Sequence, residues 1–171
     1  ADAWETVWLG GVSYSGGRYH FGYLYNYLTN YGRLFSSSTL AGRSGTHDYR
    51  GCSGHYIGGL DSDLYLQSAS VSVYIRTKVG GNYYLYFYLL EQNPLYDDFE
   101  SGYKGIPYGL YAGGFSVSAV GTYTFSLSTA ALNRLGEMIE DNERYVYFGL
   151  RYGGERVGSG NYINFNYYDI T

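Results

Sequence analysis

The stretch NYYLYFYLL (residues 82–90) decides how the chain is read. Tyr83, Leu85, Phe87 and Leu89 fall on one parity, and Tyr84, Tyr86, Tyr88 and Leu90 on the other. In a strand, the two parities face opposite sides of the sheet. An ordinary half-buried strand shows polar residues on one side. Here the second side is a row of tyrosines, each apolar in its ring and polar at its tip. The row is covered by the chain itself, stacks on sugar faces, or buries against another subunit.

Working outward, the preceding segment LYLQSASVSVYIR (64–76) sets Ala69, Val71, Val73 and Ile75 against Ser70, Ser72, Tyr74 and Arg76. Gly80-Gly81 then joins the two segments in what reads as a hairpin. FSVSAV (115–120) and TYTFSLS (122–128) alternate again, as do RYHFGYLYNYL (18–28) and RYVYFGLRY (144–152). In NYINFNYYDI (161–170) the asparagines mark the polar parity and leave Ile163, Phe165 and Tyr167 for the core. TAALNRLGEMI (129–139) is the only segment with helical spacing; Ser128 is its N-cap candidate and Leu132, Leu135 and Ile139 share one face. Residues 36–63, rich in Ser, Gly and Asp, read as a long irregular connection, of the kind that carries function or hides a short strand.

Composition agrees with this pattern. The 171 residues include 25 tyrosines and 26 glycines, the former strong strand formers and the latter turn residues. The expected fold is all-β: a jelly-roll-like antiparallel β-sandwich with one short helix near 129–139. The expected organisation is an N-terminal arm over 1–11, ending in the Gly10-Gly11 hinge, and a single sandwich domain over 12–171. A formal charge of −4 without a basic block argues against nucleic acid as partner. No apolar run approaches 18 residues, so no helical membrane span is expected. Lys78 and Lys104 are the only lysines, and the other basic side chains are arginine, a balance typical of contact surfaces. Cys52 is alone, which rules out an intrachain disulfide. A start at ADAWETVW rather than Met fits removal of a signal peptide or excision from a larger chain, so an extracellular or cell-surface location is expected.

Three stretches, SASVSVYIRT (68–77), GTYTFSLSTAAL (121–132) and the pair YFGLRYGG (147–154) with GNYINFNYYDI (160–170), carry a likeness in their pattern of polarity. The region 64–171 resembles the jelly-roll sandwiches of bacterial surface proteins and phage tail accessories, including the DNRLRE-type modules. The resemblance implies an extracellular structural or carbohydrate-binding role. The first half departs from it, with no clear opening pair of strands.

Chemistry-bearing groups are few. HDYRGCSGH (47–55) brings together His47, Asp48, Cys52 and His55, but its spacing matches no standard zinc site, and a surface loop is the simpler reading. A Cys–His hydrolase lacks a visible orienting group and oxyanion hole. Asp61 and Asp63, with Asp97 and Asp98, are the candidates for calcium; otherwise they are solvated turn residues, and no cofactor is expected. Glu91, at the end of the tyrosine segment, is the first acid to suspect in a glycosidase and is expected not to be catalytic. The glycines of GVSYSGGRYHFG (11–22) lack any phosphate-loop spacing.

Without an enzymatic constellation, the expectation is a non-enzymatic structural subunit of an extracellular filament or surface assembly. It self-associates into a homopolymer through Tyr84, Tyr86 and Tyr88 and through the arm residues Trp4, Val7, Trp8 and Leu9, the arm being either the first strand of its own sandwich or a strand added to a neighbour's sheet. The alternative is a carbohydrate-binding jelly-roll module of a surface adhesin or phage tail protein, with glycans as partners.

Overall fold

The computed structural model describes residues 18–27, 30–35, 39–60, 66–94, 98–156 and 160–170. Among the described residues are ten strands: β1 (Arg18–Tyr27), β2 (Asn30–Phe35), β3 (Thr39–Ser44), β4 (His47–Tyr56), β5 (Ser70–Val79), β6 (Tyr83–Leu90), β7 (Leu110–Val117), β8 (Gly121–Ser126), β9 (Tyr145–Tyr152) and β10 (Asn161–Ile170). Two helices accompany them among the described residues, α1 (Phe99–Gly105) and α2 (Thr129–Glu140). Ile106–Tyr108 and Gly153–Arg156 add single 3-10 turns.

All pairings are antiparallel, and eight strands follow one path in the order β7-β6-β9-β4-β3-β10-β5-β8. The path folds over at the tight β3–β4 hairpin, where Gly45 takes the left-handed conformation (φ 61°) that the turn requires. Its halves, β7-β6-β9-β4 and β3-β10-β5-β8, face each other as a jelly-roll sandwich. Beyond β4, the β1–β2 hairpin widens the first half, because β1 pairs with both β2 and β4.

The sandwich follows from where apolar side chains must go. Val71, Val73 and Ile75 of β5 and Ile163 of β10 are buried from one half. Leu85, Phe87 and Leu89 of β6 meet them from the other, with Val146, Phe148, Leu150 and Tyr152 of β9. The Phe87 ring lies 4.7 Å from that of Phe125 on β8, so the two halves touch through aromatic contacts. Helix α2 adds Ala131, Leu135, Met138 and Ile139 to the same core. Its N-cap is Ser128, whose Oγ accepts from the Ala131 amide (3.2 Å) and donates to the Tyr111 carbonyl (2.8 Å), tying the helix to β7.

Three expectations need correction. The segment between residues 36 and 63 carries β3 and β4 rather than an irregular connection. Helix α2 has company: α1 forms over FESGYKG with Asp98 as its N-cap. β5 and β6 do not pair as a hairpin, since β5 pairs with β10 and β8 and β6 with β7 and β9. The Gly80-Gly81 turn carries the chain from one half of the sandwich to the other, so that two apolar faces oppose each other across the core. In β10, Ile163 is buried as expected, and the pairing with β5 shifts register between Asn164 and Phe165 and between Phe165 and Tyr167; the side chains of Phe165 and Tyr167 lie outside those described.

Candidate aromatic binding face

The outer face of the β7-β6-β9-β4 half is built by strand parity. Because Leu85, Phe87 and Leu89 point inward, Tyr84, Tyr86, Tyr88 and Leu90 point outward. Register places Tyr86 opposite Arg151, Tyr88 opposite Gly149 and Leu90 opposite Tyr147 on β9. Gly149 in turn stands opposite Cys52 on β4.

The middle of this face is covered by the chain itself. Tyr103 of α1 and Ile106 of the following turn are buried with Tyr88 and Cys52 in a second apolar cluster. Gly149 makes the docking fit, since a Cβ there would stand 2.7 Å from Ile106 Cγ1 and 3.1 Å from Leu90 Cδ1. Gly149→Val is therefore expected to lift the 98–109 segment and cost about 1–3 kcal/mol, measured by denaturant unfolding. Beneath Tyr103 lies an ion pair: Arg50 Nη2 donates to Glu155 Oε1 at 2.9 Å, and Arg50 Nη1 to the Tyr103 carbonyl at 2.6 Å. The guanidinium also sits 4.1 Å from the Tyr103 ring centroid. Burial pushes the Tyr103 phenol well above its ordinary value, so the ring stays neutral throughout the physiological range.

Beside this covered centre the rings open to the surface. Tyr84 and Tyr86 are half-buried with centroids 4.8 Å apart, and Tyr111 of β7 lies 6.4 Å from Tyr86. Tyr84 and Tyr111 share a hydroxyl–hydroxyl bond of 3.1 Å. The Arg151 guanidinium stands 4.6 Å from the Tyr86 centroid. Tyr108, Leu110 and Tyr111 are exposed within four residues at the start of β7.

The proposed assembly residues therefore separate. Tyr88 is buried within the chain, while Tyr84 and Tyr86 contribute to the open cluster. Trp4, Val7, Trp8 and Leu9 lie outside the described residues. Tyr108, Leu110, Tyr111 and Arg151 were missed by the sequence reading. The parity of RYVYFGLRY puts Arg151 on the side of Tyr145 and Tyr147, but its contact with Tyr86 depends on a register that no local pattern encodes.

The polar candidates are dispersed. Strand alternation sends Cys52 outward and His55 inward, where His55 bonds Ser53 Oγ at 2.8 Å and meets the Phe148 ring edge-on. His47 stacks on Tyr49, and Asp48 pairs with Arg43. No group of three metal-ligating side chains forms among the described residues. Asp61, Asp63 and Asp97 lie outside the description, and Asp98 is engaged as the cap of α1, accepting from the Ser101 amide at 3.1 Å. Glu91 binds Arg134 of α2 through two bonds of 2.8 and 2.7 Å, which hold its carboxyl below the ordinary value. A lowered folded-state value means that this contribution is present at neutral pH and lost as pH falls through the carboxylate range. Because the pair is largely exposed, its loss in acid is expected to cost only about 0.2–1 kcal/mol, and Arg134→Gln should flatten that part of the pH–stability curve.

No helix among the described residues is long and apolar enough to cross a membrane. No family model matches this chain, and no curated protein is similar to it in sequence.

Proposed function

We propose that this protein is a non-enzymatic structural subunit that self-associates into an extracellular filament or surface assembly. The carrying observation is the exposure of three large apolar side chains at and just before the start of β7: Tyr108 is 89 % exposed, Tyr111 43 % and Leu110 37 %. Tyr and other large apolar groups are favoured in the buried centre of interfaces. Covering a fully exposed aromatic side chain removes roughly 150–250 Å² from water; Tyr108 approaches that and the part-covered Tyr111 and Leu110 add less, so together they supply several kcal/mol at roughly 25 cal/mol per Å² before association costs are met. Composition alone suggested a broader sticky surface. Tyr88, Tyr103 and Tyr152 are buried within the chain, so the surface left for a neighbour is narrower and better placed. Strand addition by the arm residues Trp4, Val7, Trp8 and Leu9 belongs to the same reading.

Sedimentation velocity over a wide concentration range tests it. The wild type is expected to associate, and the Tyr108→Ser, Leu110→Ser double variant to need at least tenfold higher concentration to do so. A wild type that stays monomeric throughout overturns the reading.

A second reading, a carbohydrate-binding module, is favoured by one observation: the Tyr86 ring lies 4.8 Å from Tyr84 and 6.4 Å from Tyr111, beside the Arg151 guanidinium.

A further inference from the structure

Arg151 is the most anomalous side chain on the outer face. It is 7 % exposed, and its Nε is buried without a hydrogen-bond partner. Arginine withdrawn from water to this degree is normally paired, because an unmatched buried charge is costly. The buried carboxylate on this face, Glu155, is already taken by Arg50. The contact made by Arg151 is with a ring: its guanidinium lies against Tyr86, which fixes its position without neutralising it. Glu155 is the one acid among the described buried residues, and it faces Arg50 rather than Arg151.

The surroundings specify what would complete the arrangement. A guanidinium is a planar fork of donors that matches a carboxylate in two-point contact. Next to it, Tyr84 and Tyr111 bond to each other through their hydroxyls. One phenol donates and the other accepts, so the accepting phenol keeps its own O–H for an outside acceptor. Faces and edges of three tyrosine rings supply the apolar contact that a pyranose ring uses.

We infer that the outer face of β6 and β9 holds a binding site for a carboxylated saccharide, a uronate or similar acidic sugar, with Arg151 taking the carboxylate and Tyr84, Tyr86 and Tyr111 the ring. This rests on the second reading above and narrows it to acidic glycans. Neutral sugars leave the Arg151 charge unmatched, and a bare acidic peptide leaves the ring surface unused.

The test is an array of carboxylated, methyl-esterified, sulfated and neutral oligosaccharides, with hexaglutamate as the peptide control, probed with the full chain and with Arg151→Gln. Binding to carboxylated members is expected, at least tenfold weaker after esterification and at least tenfold weaker in Arg151→Gln. The melting temperature of Arg151→Gln should stay level or rise, because an unpaired buried charge is removed. Equal binding by Arg151→Gln, or equal capture of hexaglutamate, overturns the inference. A large drop in the melting temperature of that variant overturns it too, since it marks Arg151 as a packing residue. Binding of neutral sugars alone defeats the inference but leaves the module reading standing, whereas a blank array removes both.

Discussion

Glu155→Ala is expected to cost about 3–5 kcal/mol of folding free energy, because it removes the hydrogen-bonded counter-charge of the largely buried Arg50 guanidinium. The two side chains are 13 % and 6 % exposed, and Glu155 receives both Arg50 Nη2 and, at a longer 3.4 Å, Nε. Arg50 is also tied to the Tyr103 carbonyl and ring, so the loss should spread to the segment that covers the outer face. The double replacement Arg50→Met, Glu155→Leu removes both charges together and should recover most of the stability, since a well-packed apolar pair often equals a buried ion pair. Urea unfolding of the three proteins measures this. A Glu155→Ala loss below about 1 kcal/mol would place the pair in the class of solvated surface bridges and discard its role in anchoring α1.

A comparable loss is expected on the other side of the same sheet. Phe87 is fully buried, with its ring 4.7 Å from Phe125 and 6.0 Å from Phe115. Phe87→Ala empties the contact between the two halves of the sandwich and should cost about 3–5 kcal/mol through lost transfer energy and the cavity left behind. Tyr84→Ala, on the opposite parity of the same strand, removes a half-buried ring and a hydroxyl bond shared with another surface tyrosine. Its cost should be well below that of Phe87→Ala, despite similar side-chain size. Comparable losses at the two positions would mean that the outer face is as tightly packed as the core, leaving no open ring surface for a partner.

Where side chains alternate cleanly, the fold was legible in the sequence. Ala69, Val71, Val73 and Ile75 are buried as their pattern requires, and Ser128 caps α2 as its position suggests. Three features were not. β4 is concealed by its composition: Gly51, Gly54 and Ser53 carry no hydrophobic signal, although they are buried between β1 and β9. Helix α1 has two glycines in seven residues, and its own propensity is too low to announce it. It forms because Asp98 caps it and Tyr103 docks onto the sheet. The partner choice of β5 and β6 depends on closing a core from both sides, a long-range outcome that a Gly-Gly turn cannot encode.

The candidate site divides in the same manner. The outward row Tyr84, Tyr86, Tyr88 follows from period two alone. That Tyr88 lies under Ile106 while Tyr86 meets Arg151 and Tyr111 is set by the β6–β9 register and by a covering segment distant from the row in sequence. Exposure at Tyr108 and Leu110 is likewise invisible locally, because the same residue types are buried a few positions away.

Electron microscopy of the full chain at high concentration, beside the Tyr108→Ser, Leu110→Ser variant, tests self-association most directly. Ordered filaments or sheets of the wild type, with the variant dispersed, are the predicted result. Separate particles of single-chain size in both samples would contradict it.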